Sequence, residues 1–201
     1  SNAQQRKRPG DKRRTRRPHL RILINSARPP AMHLPTHSSP HGPRFNRVDW
    51  VMGQVLIALV PGILAMFWFF GPGILINITI AAVAAISFEA LAVGLRGRNP
   101  MTAISDLSAL VTAVLLAICL PPLLPWWLTV LGTAFAIVLA KQIYGGLGYN
   151  PFNPAMAGYV FLLVSYPVPM TSWLPPTMLN EHSLDFMQTL TLIFTGTLPA
   201  G

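Results

Sequence analysis

Charge is scarce in this sequence. Only 10% of its 201 residues are Asp, Glu, Lys or Arg, against about 25% in an ordinary soluble domain. With so few, a bundle of apolar helices has no polar faces to turn toward water. Cysteine is nearly absent too. Cys119 stands alone, which excludes an internal disulfide, a cysteine-spaced zinc site and an iron–sulfur cluster. Set in an apolar run, it reads as a small hydrophobe. No Ser/His/Asp constellation or carboxylate pair stands out, so hydrolase chemistry finds no support. The glycines at 145, 146 and 148 lack the Gly-Lys-Ser/Thr ending of a phosphate loop.

What is present is apolar length. The chain is 52% hydrophobic with a mean hydropathy of +0.47. Val51 to Phe70 holds no charge and is long enough for a membrane-spanning helix, with Pro61-Gly62 tolerated at mid-span. Gly71-Pro72-Gly73 makes a turn, and Ile74 to Leu95 is a second span with one acid, Glu89. Leu107 to Leu124 is a third, interrupted near its end by Pro121-Pro122, and Trp126 to Tyr144 a fourth, opening on an aromatic pair suited to the membrane interface. Ala155 to Met170, with Pro167 and Pro169, is a short, broken or re-entrant fifth. The expected fold is an all-α integral membrane protein with about five transmembrane helices.

The charge that exists is unevenly placed. Arg6, Lys7, Arg8, Lys12, Arg13, Arg14, Arg16, Arg17, Arg21 and Arg28 precede Ala31. Beyond it, Arg44, Arg47, Arg96, Arg98 and Lys141 balance Asp49, Glu89, Asp106, Glu181 and Asp185, so the leader carries the whole net charge of +9. Four regions follow. Residues 1–31 combine a Ser1-Asn2-Ala3 tag scar with a basic leader too polar to fold. Residues 32–50 form an N-terminal cytoplasmic segment, for which Met32 is a natural start. Residues 51–170 are the transmembrane region. Residues 171–201 form an extramembrane or interfacial tail, with an amphipathic helix between Asp185 and Leu198 and a truncated look at its end. The leader suits nucleic acid or anionic lipid, or is a dispensable tail. Arg44 and Arg47 before the first span, and Arg96 and Arg98 after the second, place the N-terminus in the cytoplasm.

Several polar residues in the apolar region are candidates for function. Glu89 is the deepest ionisable group, and charges within a membrane are expensive enough to suggest an ion path or a partner on a neighbouring helix. Lys141, near the end of the fourth span, reads first as a side chain snorkelling to the interface. Asp106 reads as a helix cap. The densest pattern runs from Gly145 to Met156. Gly146 and its neighbours permit close backbone approach or positive φ, and Asn150-Pro151 and Asn153-Pro154 repeat an Asn-Pro pair. Asn153 can cap a helix with Pro154 in its first turn. Such a helix start inside a membrane presents free N–H groups, as in transporter sites. The plain alternative is a well-capped turn. His33, His37 and His41 have helical spacing, but Pro35, Pro40, Gly42 and Pro43 oppose a helix, and no metal site is expected there.

The stretch Lys141-Gln142-Ile143-Tyr144-Gly145-Gly146-Leu147-Gly148, continuing through Asn150-Pro151-Phe152-Asn153-Pro154-Ala155-Met156, resembles the D subunits of Rnf-type ion-translocating electron-transport complexes. More distantly it is similar to the B subunits of sodium-pumping NADH:quinone reductases. Ser38-Ser39-Pro40-His41, Val60-Pro61-Gly62-Ile63, Pro121-Pro122, Pro125-Trp126-Trp127 and Met170-Thr171-Ser172-Trp173-Leu174-Pro175-Pro176 carry the same resemblance, over about residues 36 to 176. It implies a bacterial inner-membrane protein built of inverted five-helix repeats, of which this chain holds the first. It implies partner subunits, a lipid bilayer and no nucleic acid. It also implies electron transfer between ferredoxin and NAD coupled to Na⁺ or H⁺ movement, with FMN bound covalently through a threonine phosphoester in a Ser/Asp-Gly-Ala-Thr word. No such word occurs here: Thr195-Gly196-Thr197 is a poor match, and the attachment threonine is expected beyond Gly201. Glu89, Lys141, Gly146, Asn150 and Asn153 are the candidates for an ion or cofactor path. A channel or solute transporter without a redox cofactor is the alternative.

Overall fold

The computed structural model describes residues 48–146, 150–176 and 184–197. The leader, the three histidines, Glu181 and residues 147–149 lie outside them. Among the described residues every regular element is helical. Helix α1 (Val48–Phe70) and α2 (Gly73–Leu95) form an antiparallel hairpin. Its turn uses Gly71 at φ +80°, whose N–H donates to the Phe67 carbonyl. These two helices have the length and composition to cross a membrane. A one-turn helix α3 (Pro100–Ile104) precedes α4 (Ser108–Cys119). Helix α5 (Trp126–Ala134) runs without a break into a π-helix, Phe135–Gln142. Helix α6 (Pro154–Ser165), the short α7 (Pro167–Thr171) and α8 (Phe186–Thr195) follow.

The third and fifth expected spans are thus realised as helices of 12 residues each. At about 1.5 Å per residue, such a helix reaches only partway across a hydrocarbon core of about 30 Å. Pro121-Pro122 stops the third, and Tyr166-Pro167 ends the fifth.

Interrupted helices free backbone carbonyls that lipid cannot satisfy, and one buried side chain answers for the proline turn. Asn77, fully buried on α2, donates to the carbonyls of Pro121 (3.0 Å) and Pro122 (3.2 Å), and its Oδ1 accepts from Thr129 Oγ1 at 3.3 Å. The turn lies so close to α2 that a Cβ at Gly73 would stand 2.3 Å from the Pro122 carbonyl oxygen.

Asn77 opens a stripe. Asn77, Ala81, Ala85, Glu89 and Val93 recur every four residues along α2, and all are buried. Ala109, Ala113 and Ala117 repeat the spacing on α4, and the alanines of both helices form one cluster with Ile137. Small residues let helix backbones approach where no hydrophobic force drives them together. The α5–α6 crossing does the same: a Cβ at Gly158 would meet the Gly132 carbonyl at 2.7 Å. Leu116, Leu120, Leu124, Leu128 and Leu162 complete a second cluster beside it. Helix α1 contrasts with all of this, burying none of its residues.

At the end of the hairpin where α1 stops and α2 begins, aromatic rings gather. Phe70 meets Trp173 edge-on at 5.7 Å, Trp126 stacks on Phe194 of α8 at 6.0 Å, and Trp127 meets Tyr166 at 5.4 Å. Such a belt marks a membrane–water interface. Arg96 and Arg98 mark the opposite end.

Three substitutions test this packing. Gly158→Ala should lower the melting temperature of the detergent-solubilised protein clearly, whereas Gly62→Ala, with nothing within 4 Å of its added Cβ, should leave it unchanged. Because the Pro121 carbonyl keeps the Leu124 N–H at 3.0 Å, Asn77→Ala should cost about 1–3 kcal/mol for the stranded Pro122 carbonyl, read as loss of melting temperature with helical circular dichroism retained below the transition.

A buried carboxylate–ammonium pair as candidate functional site

The α2 stripe delivers Glu89 to the interior four residues beyond Ala85. The π-helix delivers Lys141 from the opposite side. Its wider turn is visible in the bond from Ile143 N–H to the Val138 carbonyl five residues back (3.2 Å), and it closes with Gly145 N–H on the Gln142 carbonyl (3.1 Å) and Gly146 N–H on the Lys141 carbonyl (3.2 Å). Nζ of Lys141 donates to Glu89 Oε1 at 2.9 Å and to Ser108 Oγ at 2.7 Å. Ser108 Oγ in turn donates to Asp106 Oδ1 at 2.6 Å, which also accepts the Ser108 backbone N–H at 2.8 Å. Three helices therefore meet in one linear array, Glu89–Lys141–Ser108–Asp106.

Both charged side chains are only 2% exposed. Lys141 does not snorkel to the interface, as its place near a helix end suggested. Glu89 offers its ammonium a partner inside, and the π turn aims it there. Removing two such charges from water costs several kcal/mol per ion, and their attraction offsets this only with good geometry and further hydrogen bonds. Lys141 has two partners. Glu89 does not match it: Oε2 is buried with no hydrogen-bond partner among the described residues.

The pair adjoins a polar cavity of about 220 Å³, lined by Glu89, Lys141, Arg96, Arg98, Asp106 and Gly146 among others. Arg96 is held at its edge by Gln142, donating to Oε1 at 2.7 Å and to the backbone oxygen as well. Asp106 lies in the turn just before α4, whose N-cap is Leu107, and its carboxylate accepts the Ser108 N–H at the helix start. The residue after it, Leu107, takes φ +58°, a left-handed conformation rare for a branched side chain and costing on the order of 1–3 kcal/mol. That turn lets the Asp106 carboxylate reach back over Ser108.

The five candidate residues divide. Glu89, Lys141 and Gly146 converge on the cavity, where Gly146 and Gly145 take φ +114° and +90°. Asn150 and Asn153 are engaged elsewhere. Asn150 donates to the Ala140 carbonyl at the end of the π-helix and accepts the Phe152 N–H (3.0 Å). Asn153 caps α6 by accepting the Ala155 N–H at 3.0 Å, with Pro154 in the first turn. Asn153 also borders an open apolar groove of about 670 Å³ between the π-helix and α6. Sequence reasoning missed Ser108, Gln142 and Arg96 as site residues. Ser108 had a signal in its place two residues after Asp106; Gln142 had its adjacency to Lys141. Among the described residues no cluster of His, Cys, Asp or Glu could hold a metal ion.

Long apolar helices around a buried charge array define a multi-helix membrane protein with a polar site at the basic end of its hairpin. Residues 35–197 match the NQR2, RnfD, RnfE family, and the chain belongs to it. It is 52% identical over 164 residues to the D subunit of the ion-translocating oxidoreductase complex of Salmonella arizonae and to that of Salmonella typhimurium, and 51% identical to its counterpart in Salmonella newport. Each match covers 82% of this chain and 47% of the relative, so the chain spans about half the length of the curated relatives it matches.

The described residues do not fit covalent FMN. Thr195 Oγ1 is engaged with the Thr191 carbonyl at 2.7 Å. The apolar groove is lined by no charged side chain that could meet a flavin phosphate.

A double-mutant cycle tests the pair. Lys141→Met in salt-free buffer should destabilise by about 3–5 kcal/mol, because it strands a buried carboxylate, while Glu89→Met with Lys141→Met should recover much of that loss. With Glu89→Met measured alone as well, a double-variant loss equal to the sum of the two single losses would show that the two groups do not interact.

Proposed function

We propose that the chain is the first half of a membrane subunit in an ion-translocating electron-transport complex of the ferredoxin:NAD type. In this reading the Glu89–Lys141–Ser108–Asp106 array lies on the ion path. The observation that carries it is the burial of a charge pair among apolar helices, with one carboxylate oxygen unpartnered among the described residues. Ionisable groups held there at such cost usually serve transport. Family membership and the names of the Salmonella relatives supply the electron-transport setting.

The same reading places the protein in a bacterial inner membrane beside other subunits of its complex. Arg96 and Arg98, with Arg44 and Arg47 before α1, put the cavity end and the N-terminus on the cytoplasmic side by the positive-inside rule. FMN belongs to this proposal through the family resemblance alone, and its attachment falls outside residues 48–197.

The test uses the full-length protein assembled in its complex. Glu89→Gln should lower ion uptake into inverted vesicles by at least tenfold while leaving the assembled complex intact. Unchanged uptake would remove the array from the path. Flavin fluorescence absent from the purified full-length protein would favour a channel or carrier without a redox cofactor.

A further inference from the structure

We propose that Asn150 is a positioning residue: its amide holds the register of the π-helix, so that Lys141, and not Ala140, stands opposite Glu89. This deepens the ion-path reading and rests on it for its purpose, though not for its geometry.

The buried side of the segment shows what the register does. Thr133 is buried, and Lys141 is buried eight residues further on. At about 100° per residue an ordinary helix would carry Lys141 about 80° past the direction of Thr133. A π turn takes up one residue more, which leaves Lys141 only about 20° from that direction. In an α register the inward place would fall to Ala140. Lys141 would then take the direction Gln142 has now, toward the guanidinium of Arg96, and the Glu89 carboxylate would lose its ammonium.

One carbonyl separates the two registers. In an α-helix the Ala140 carbonyl accepts from the N–H four residues on, that of Tyr144. In a continued π ladder it accepts from Gly145, five residues on. Gly145 N–H turns instead to the Gln142 carbonyl at 3.1 Å. The Asn150 side chain donates to the Ala140 carbonyl in its place. Ala140 is buried, where a carbonyl without a partner is costly. The Asn150 amide meets that need in the π register. Without it, retightening to the Tyr144 bond restores a partner and turns Lys141 away. Arg96 grips Gln142 by two hydrogen bonds, so the two contacts bracket Lys141 on either side.

The twin Asn-Pro pairs differ in this one respect. Among the described residues Asn153 uses only its carbonyl oxygen, which accepts the Ala155 N–H at 3.0 Å. Asn150 accepts the Phe152 N–H in the same way at 3.0 Å and adds the donation to Ala140. An aspartate in either place keeps the acceptor. Only at 150 does it remove a donor that is in use.

The experiment reads where Lys141 points, not transport, so it can fail while the ion-path reading stands, and the reverse. The full-length protein in detergent is treated with an amine-reactive label, and labelling of Lys141 is followed by peptide mass spectrometry. The melting-temperature loss caused by Lys141→Met is measured in each background. In wild type and Asn153→Asp, Lys141 should label slowly and Lys141→Met should lower the melting temperature strongly. In Asn150→Asp labelling should rise by about tenfold or more, as when a minor register of at most about 10% becomes the major one. The loss from Lys141→Met should there shrink to under about half, because the pair is already broken. Deleting Leu139 removes the extra residue, so an α register then presents Lys141 to Glu89. That deletion should keep Lys141 protected, and adding Asn150→Asp to it should change neither readout. Lys141 still protected in Asn150→Asp overturns the proposal. So does equal exposure in Asn153→Asp, or exposure in Asn150→Asp that the deletion does not suppress, since Asn150 would then support the fold in general and not the register. Should Asn150→Asp not fold, the deletion must restore it, and a deletion that fails to do so overturns the proposal as well.

Discussion

A carboxylate and an ammonium removed from water hold their charge at tolerable cost by facing each other, and the geometry around Glu89 and Lys141 follows from that requirement. The four-residue stripe on α2 fixes where Glu89 enters the interior. The α4 start must then bring Ser108 to the ammonium, which the left-handed turn at Leu107 allows. The π-helix turns Lys141 inward instead of toward the lipid surface. Each device carries a conformational cost that a plain helix avoids. They converge on one point, which is why the array, and not the longer apolar helices, is where the molecule is most specific.

Asparagine plays a matching role for the backbone. At four of the places where a proline or a register change interrupts these helices, an Asn side chain takes up freed donors or acceptors. Asn77 serves the Pro121-Pro122 carbonyls, Asn150 the Ala140 carbonyl, and Asn99 and Asn153 the first N–H groups of α3 and α6. In water these groups would be solvated; in lipid each must be met from within. The Asn-Pro pairs that stand out in the sequence are part of this system, and their side chains point to backbone satisfaction beside the site.

Much of the architecture is legible in the sequence because apolar length is a strong signal. Val51 to Phe70 and Ile74 to Leu95 anticipate α1 and α2 to within a few residues. The shorter elements are less legible. Pro121-Pro122 and Pro167 mark the right places, but how far a helix runs before them depends on tertiary partners. Glu89 is legible as a lone charge in a span. Its bond to Lys141, 52 positions away, is not, because a π-helix has no sequence signature that competes with ordinary helical periodicity. Asn77 escapes notice because a single amide hardly lowers the hydropathy of a long run.

The chain belongs to the NQR2, RnfD, RnfE family; the redox-linked ion movement proposed above would be the setting of this array, while its physics stands independently of that setting. A density map of the full-length protein within its complex, resolved at the side-chain level, is the most direct check. Lys141 Nζ should lie within hydrogen-bond distance of both the Glu89 carboxylate and the Ser108 hydroxyl. Density showing Lys141 extended to the membrane surface, with Glu89 paired elsewhere or facing water, would contradict the account.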